Sequence, residues 1–318
     1  KAPGIDRICH ATLKKPIKAI IYIALVFNAI LRIQVSPRQW KMAAILMIHK
    51  PGKPEDDPES YRPISLLPSL SKLWKRLIAN RINDIIRQGN ILPDHQFGFR
   101  KGHGTIEEVH RLVKHILQAF DDCEYSYAVF IDMQQAFDKV WHVGLLCKIK
   151  TLLPAPYFCI LKSYLEERQF KITVRNSYSS IYPMRAGVPQ GSVLGPLLYS
   201  LYTADIPCPS FEHMAAPNRT LIETYADDIA VVYNSRDSRE AANGLQEYIN
   251  ALAAWCKRWN LKINSLKTTN PCFTLKTLIP NTPPIRLEGV TLNQPLQATY
   301  LGITLDKRLT FGPHLKRQ

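Results

Sequence analysis

A chain of 318 residues with 41 Lys and Arg against 26 Asp and Glu has a formal net charge of +15. Its 46% hydrophobic and 21% charged residues are those of an ordinary globular protein rather than a disordered one. The basic excess favours a polyanionic partner, nucleic acid first and an acidic membrane second. Seven scattered cysteines (Cys9, Cys123, Cys147, Cys159, Cys208, Cys256 and Cys272) form no Cys-x-x-Cys pair. They argue against a zinc site or disulfide framework and for a reducing intracellular compartment.

The length suggests two or three subdomains. The chain opens on Lys1 without a Met and reads as a fragment of a longer polypeptide. After a turn-rich entry at residues 1–6 and Pro16, residues 19–31 form the most hydrophobic window. It is about half a dozen residues short of a bilayer span, flanked by Lys18 and Arg32 and interrupted by Asn28, so it reads as a buried helix.

Residues 40–49 have strand character and lead into Lys50-Pro51-Gly52-Lys53-Pro54, with Tyr61-Arg62-Pro63-Ile64-Ser65 beyond. Two extended runs joined by a basic Pro/Gly loop make a hairpin carrying cations at its tip; the plain alternative is a surface hairpin with solvated charges. Residues 69–87 read as a helix with Ile78, Ile82 and Ile85 on one face. Its Lys72, Lys75 and Arg76 form a basic stripe suited to a phosphate backbone, or simply a solvated face. Gln96-Phe97-Gly98-Phe99-Arg100 is a compact aromatic turn. A capping box, Thr105-x-x-Glu108, then opens a helix with Ile106, Val109, Val113, Ile116 and Phe120 inward.

Residues 127–131 are a continuous apolar run, hence a central strand, which ends in Asp132. The segment from Asp132 is expected to turn into a helix through Trp141, with an N-cap as the plain reading of Asp132. Residues 170–174 and 180–184 form a second hairpin leading to Gly187-Val188-Pro189-Gln190-Gly191-Ser192. Gly187 and Gly191 permit close backbone approach, and Ser192 caps a helix carrying Leu194, Leu197, Leu198 and Leu201.

In Thr224-Tyr225-Ala226-Asp227-Asp228-Ile229, two carboxylates sit between strand-like runs, at the tip of a hairpin. Like charges side by side between core strands are unfavourable unless a cation neutralises them, and a hard divalent ion on oxygen ligands is the natural candidate. A polar hairpin turn is the plain alternative. Asp132, on a similar strand, is placed to meet the pair at one sheet edge. A helix from Ser238 follows, with Ala241, Leu245, Ile249, Leu252, Cys256 and Trp259 on its core stripe. Short strands come next, with residues 300–306 closing the ordered part. Residues 206–217 and 279–285 read as surface loops.

Taken together, these segments resemble a reverse transcriptase, and more closely the polymerase domain of a non-LTR retrotransposon of the jockey-like insect type. The matching motifs are Lys50-Pro51-Gly52-Lys53, Ser60-Tyr61-Arg62-Pro63-Ile64-Ser65, Gln96-Phe97-Gly98-Phe99-Arg100 and the DMQQAFDKVW run from Asp132. Gly187-Val188-Pro189-Gln190-Gly191-Ser192, Tyr225-Ala226-Asp227-Asp228, Leu261-Lys262-Ile263-Asn264 with Lys267-Thr268, and Tyr300-Leu301-Gly302-Ile303 follow in the family's order.

The resemblance implies an α+β right-hand polymerase fold with fingers and palm, a truncated thumb, and a palm built as an antiparallel sheet backed by helices. It places an N-terminal extension at 1–45, fingers at 46–125 and the palm's first catalytic Asp within 126–165. A fingers/palm loop at 166–192, the palm with catalytic hairpin and primer grip at 193–306, and the start of the thumb at 307–318 complete the assignment. The implied activity is RNA-directed DNA polymerisation with two Mg²⁺ ions ~3.5–4 Å apart. Asp132 and Asp227 would bridge them, with Asp228 in support.

Arg62 would clamp the triphosphate with Lys50, or alternatively Lys53, assisting. Phe137 would be the aromatic gate that excludes a ribose 2′-hydroxyl, and Gln190 with Gly191 would contact nucleotide and template. Lys267 would protonate the leaving pyrophosphate, and Tyr300-Leu301-Gly302 would form the primer grip. Lys72, Lys75, Arg76 and Arg100 would meet the nucleic acid. Implied partners are an RNA template, a DNA primer and dNTPs, with no membrane, an upstream endonuclease domain and action in the nucleus. The alternatives are an inactive RNA-binding remnant, a group II intron-type maturase, or an RNA-dependent RNA polymerase; Phe137 argues against the last.

Overall fold

The computed structural model describes Asp6, Ile8 and residues 17–174, 177–189, 191–208, 219–279 and 281–317. Gln190, most of the entry at 1–6 and the loop residues 209–217 lie outside the described residues. In chain order the elements are helix α1 (Ile17–Ile33), strands β1 (Met42–His49) and β2 (Tyr61–Leu66), helices α2 (Ser69–Gln88) and α3 (Thr105–Asp121), and strand β3 (Tyr125–Asp132). Then come α4 (His142–Leu152), α5 (Ala155–Leu165), β4 (Gln169–Val174), β5 (Ser177–Tyr178), β6 (Tyr182–Pro183) and α6 (Gly195–Tyr202). Strands β7 (Thr220–Tyr225) and β8 (Asp228–Ser235) precede α7 (Ser238–Arg258). Short strands β9 (Cys272–Phe273), β10 (Arg286–Leu287), β11 (Val290–Thr291), β12 (Gln297–Tyr300) and β13 (Ile303–Asp306), and the turn of helix α8 (Gly312–Leu315), finish the chain.

These elements divide into two compact units, Lys1–Leu92 with Phe137–Tyr202, and Pro93–Ala136 with Thr203–Gln318. The first unit is built on a sheet in the order β2-β1-β4-β5, with β6 also paired to β4. β1 and β2 form the expected antiparallel hairpin, with Ile48 opposite Arg62 and His49 opposite Tyr61. β4 runs parallel to β1. On α2, Trp74, Ile78, Ile82 and Ile86 recur every four residues and are buried, the stripe expected of a core helix.

The reading of residues 19–31 as a buried helix is overturned. Among the described side chains of α1 only Phe27 and Ile30 are buried, whereas Ile20, Ile21, Tyr22, Leu25 and Val26 are between 50% and 69% exposed. Hydrophobicity all around a helix does not say which side has a partner. Here Phe27 meets Trp40 edge-on at 6.2 Å and Trp40 leans on Trp74, so one stripe alone is covered. Among the described residues no helix is long and apolar enough to cross a membrane.

The second unit holds an antiparallel sheet in the order β7-β8-β3-β9. Ala128, Phe130 and Asp132 of β3 lie opposite Val232, Ala230 and Asp228 of β8, so these three pairs share one face. On that face Val109, Leu112 and Ile116 of α3 pack with Ala298, Tyr300 and Leu305 of the β12–β13 hairpin. Each such buried aliphatic side chain contributes ~1.5–3 kcal/mol. α7 packs along β8 and β3, and of its predicted stripe Ala241, Leu245, Ile249, Leu252 and Cys256 are buried, while Trp259, just past the helix end, is half-buried. Asp237 caps it, accepting from the Arg239 N–H at 2.8 Å.

Three local expectations fail for identifiable reasons. The first turn of α3 is closed by Glu107, whose Oε2 accepts the Gly104 N–H at 3.0 Å, so the N-cap is Gly104, one residue before the expected cap. Of the expected inward face, Val109 and Ile116 are buried and Val113 and Phe120 pack against the core, but Ile106 is exposed, and Glu108, expected to cap, is turned inward and fully buried. Residues 134–139 make turns rather than a helix, because Gln135 takes a left-handed φ of 49° and Trp141 is extended; α4 begins only at His142. Order continues past residue 306: the Asp306 carboxylate accepts from the Phe311 N–H at 2.8 Å and the Thr310 hydroxyl at 3.1 Å, leading into α8.

Candidate active site

Asp227 sits in the turn between β7 and β8, and Asp228 opens β8 directly opposite Asp132, the last residue of β3. The sheet thus brings the three predicted carboxylates to one edge. Ala226, the first turn residue, takes a left-handed φ of 60° and is buried, which tightens the reversal. The end of β3 is held on its other side by residues 262–269. Thr269 exchanges hydrogen bonds with Phe130 at 2.9 and 3.0 Å, the Asn264 N–H donates to the Asp132 carbonyl at 2.8 Å, and the Gln134 N–H donates to the Lys262 carbonyl at 2.8 Å. The Asp132 N–H donates to Thr268 Oγ1 at 3.3 Å. From this segment Lys267 reaches back, its Nζ 4.0 Å from Asp132 Oδ2, an exposed pair worth little as stability.

A second buttress was not legible as such. The aromatic turn packs against β7: the Phe97 and Gly98 N–H groups both donate to the Thr224 carbonyl, at 2.9 and 3.4 Å, and Thr224 N–H donates to the His95 carbonyl at 2.8 Å. Gln96 is buried and its Nε2 donates to Thr203 Oγ1 at 3.3 Å. Gly98 is pressed against the Asp227 turn itself, since a Cβ there would stand 2.2 Å from the Ala226 nitrogen. The Gly between two Phe residues was the available signal.

The electrostatics are those of carboxylates crowded without a counter-charge of equal strength. Asp228 is pushed up to about 6, first by loss of solvation and then by the charges of Asp227 and Asp132. Asp227 is also raised, by burial and then by Asp132, against the lowering effect of its own backbone hydrogen bond. Among the described residues no three His, Cys, Asp or Glu side chains form a ready metal cage. The donor set nevertheless fits a hard cation: oxygen ligands only, mutually repelling, at a partly exposed edge.

Beneath the site lie two more acids, Glu108, which the sequence assigns only to a helix cap, and Glu223, which it does not assign. Glu108 of α3 is fully buried, accepts a hydrogen bond from the Tyr300 hydroxyl at 2.5 Å, and is raised to about 7, chiefly by burial. Glu223 of β7 is fully buried 2.9 Å from Arg111 Nε and is raised to about 8, again chiefly by burial.

The predicted nucleotide contacts belong to the first unit. Arg62 is exposed on β2, and Lys50 follows β1 with its N–H donating to the Ser60 carbonyl at 2.8 Å, so both occupy the same end of the hairpin. Gly191, with φ 78°, lies where a Cβ would be 3.7 Å from Ile64, two residues along β2 from Arg62 and on the same face. Phe137 stacks on Tyr199 at 4.5 Å, and its carbonyl accepts the Val188 N–H at 2.8 Å. Gly187, with φ 84°, is needed there because a Cβ would meet the Asp138 carbonyl at 2.6 Å. As expected, Ser192 Oγ caps α6 by accepting the Gly195 N–H at 2.9 Å.

The basic stripe on α2 is corrected. Arg76 is exposed, but Lys75 is fully buried, its Nζ 4.8 Å from the centre of the Tyr164 ring and its pKa held well below the ordinary lysine range by burial, then by Arg168 and Lys72. Lys75 lies three and seven residues before Ile78 and Ile82, so it shares their inward face and cannot present its ammonium to a surface phosphate. Arg100 is engaged in its own turn, with Nη1 donating to the Pro93 and Gln96 carbonyls at 2.9 and 3.1 Å. Tyr300 points into the core, leaving Leu301 and Gly302, at φ 46° and 82°, as the tip of the expected primer-grip hairpin.

Comparison with known proteins gives the family. Residues 48–305 match the family described as reverse transcriptase (RNA-dependent DNA polymerase). The chain is 72% identical over 317 residues to the "Probable RNA-directed DNA polymerase from transposon BS" of Drosophila melanogaster, covering 99% of this chain and 35% of that protein. It is 45% identical over 316 residues to the "RNA-directed DNA polymerase from mobile element jockey" of the same species, covering 99% and 34%. The chain therefore spans about a third of the length of these curated relatives. In fold it is similar to the telomerase of Candida tropicalis truncated from its C-terminal domain, with a TM-score of 0.59 at 13% identity, over 92% of this chain and 59% of that one. The chain belongs to the reverse transcriptase family, and its sequence is similar throughout to the polymerases of jockey-like non-LTR retrotransposons.

Proposed function

We propose that this domain is the RNA-directed DNA polymerase of a non-LTR retrotransposon, extending a DNA primer with dNTPs on an RNA template. The observation that carries the proposal is the pairing of Asp132 with Asp228 on neighbouring strands beside the Asp227 turn. Family membership implies a divalent metal in general; the finer reading is two Mg²⁺ ions held by Asp132 and Asp227, with Asp228 in support. When bound, such ions activate the primer 3′-oxygen and neutralise charge on the triphosphate and leaving group.

The residues of this chain supply positioning and charge, which is most of what phosphoryl transfer asks of a protein. Arg62 offers a planar fork to the triphosphate, with Lys50 beside it. Phe137, braced by Tyr199, walls off the space beyond the sugar 2′-carbon. Gln190 and Gly191 contact nucleotide and template, Lys267 Nζ gives a proton to the departing pyrophosphate, and Leu301-Gly302 carries the primer end. Arg76 contributes to holding the nucleic-acid backbone. An endonuclease domain upstream in a longer polyprotein belongs to the same reading; what the relatives supply toward it is length alone, this chain covering 35% of the transposon BS protein.

The test is primer extension on poly(rA)/oligo(dT) with Mg²⁺, by this chain alone and within a polyprotein of its relatives' length, against Asp227→Asn. Extension by wild type and none by the variant is expected. If the longer wild type makes no more DNA than Asp227→Asn, the domain is an inactive remnant.

A further inference from the structure

Tyr300 makes three connections at once. Its ring stacks on Phe130 at 5.1 Å and 14°, its hydroxyl donates to Glu108 Oε1 at 2.5 Å, and its backbone forms the base of the two-residue turn Leu301-Gly302. Phe130 lies two residues before Asp132 and opposite Ala230, which lies two residues after Asp228. The β12–β13 hairpin is therefore seated on the sheet face that carries Asp132 and Asp228, and Asp228 is near enough that its charge helps raise the Tyr300 pKa.

Glu108 is an unusual residue for the place it occupies. It is fully buried on α3 among Val109, Leu112 and Ile116, and its second oxygen, Oε2, has no hydrogen-bond partner. Burying a carboxyl in an apolar layer costs several kcal/mol unless it is well partnered. An apolar side chain would fill the same space without that cost, so the packing alone does not account for a Glu. What Glu108 supplies, and a Leu would not, is a directional acceptor for the Tyr300 hydroxyl.

We propose that Glu108 is a positioning residue: by fixing the Tyr300 hydroxyl it locks the Leu301-Gly302 tip in register with Asp132 and Asp228, and so sets where the primer 3′-end rests. The stacked ring fixes Tyr300 in distance from β3, and the hydrogen bond fixes it in rotation and along the strand. Without the bond, the hairpin keeps its apolar contacts but loses the constraint that selects one seating. Asp132, Asp227 and Asp228 are untouched by the loss. This inference rests on the polymerase reading above.

The test compares Tyr300→Phe, Glu108→Leu, Glu108→Gln and the double variant Tyr300→Phe/Glu108→Leu with the wild-type chain. Two readouts are used: steady-state extension with primer and dTTP varied separately, and affinity for a primed RNA–DNA duplex by fluorescence anisotropy. Tyr300→Phe and Glu108→Leu are each expected to raise the KM for primer and weaken duplex affinity 5–10-fold, with the KM for dTTP within twofold. Glu108→Gln, whose amide oxygen still accepts, should stay within twofold of wild type, and the double variant should be no worse than either single one. Urea midpoints establish that each variant is folded, and if a Glu108 variant does not fold, Tyr300→Phe, which removes one oxygen only, carries the test.

Primer KM and duplex affinity unchanged in Tyr300→Phe would overturn the proposal. So would Glu108→Gln failing as badly as Glu108→Leu. A wild-type chain that binds duplex but extends nothing counts against the polymerase reading, while the anisotropy series still decides this one.

Discussion

Gly98 packs so closely against Ala226 that a single added carbon would lie 2.2 Å from the Ala226 nitrogen and 3.0 Å from the Tyr225 carbonyl carbon. Both neighbours are backbone of the turn that bears Asp227, so the clash cannot be relieved by a side chain swinging away. Gly98→Ala is expected to displace that turn. Overpacking of this kind costs ~1–3 kcal/mol, to be read from the urea midpoint, and extension activity should fall at least tenfold. A variant with wild-type activity would show that the turn is not held from this side.

Sugar selection tests the placement of Phe137. Its ring is held flat against Tyr199, so Phe137→Ala should open space without unfolding the loop, whose Gly187 and Val188 hydrogen bonds are to backbone. Incorporation of rUTP relative to dTTP is expected to rise by at least tenfold. An unchanged ratio would remove Phe137 from the role of gate.

Stability should depend on pH in a direction set by the two buried glutamates. Glu223 keeps its proton up to about pH 8 when folded, against an ordinary 4.5, and Glu108 up to about 7. Between 4.5 and those values these two groups bind more protons in the folded chain than in the unfolded one, so their contribution to stability falls as pH rises, by at most about 1.4 kcal/mol per pH unit for each, and levels off above about 8. Urea midpoints at pH 5.5 and 8.0 should show the decline, and Glu223→Gln should flatten it. Equal slopes in variant and wild type would contradict the assignment.

Lys75 and Arg76 are sequence neighbours with opposite expectations. Lys75 is buried against Tyr164 without a hydrogen-bond partner for its Nζ, so Lys75→Met should be neutral or stabilising and leave RNA affinity within twofold. Arg76 is exposed, and Arg76→Ala should weaken RNA binding and lower the salt slope by about 1. Salt titrations by anisotropy distinguish the two.

What the sequence made legible followed from strong local patterns. The β7–β8 hairpin, the strand ending in Asp132 and the stripe of α7 each depend on periodicity or turn chemistry within about ten residues. Their meeting at one sheet edge was inferable because Asp132 and Asp227 end similar apolar runs. The errors arose where the deciding partner is distant. Lys75 was assigned by charge although its spacing from Ile78 and Ile82 already put it inside. The exposure of α1 depends on what surrounds it, which no periodicity encodes. Glu108 was given to a cap because Thr105-x-x-Glu108 fits the pattern, while its hydrogen-bond partner, Tyr300, is 192 residues away.

The most direct test of the account is whether Asp132 and Asp227 hold a cation together. Titration of the chain with Mn²⁺, followed by loss of the free-ion electron paramagnetic resonance signal and by competition with Mg²⁺, reports this without any requirement for activity. Binding that weakens at least tenfold in both Asp132→Asn and Asp227→Asn, but not in Arg76→Ala, is the predicted result. Mn²⁺ affinity unchanged by either Asn substitution would contradict a shared metal site at this sheet edge.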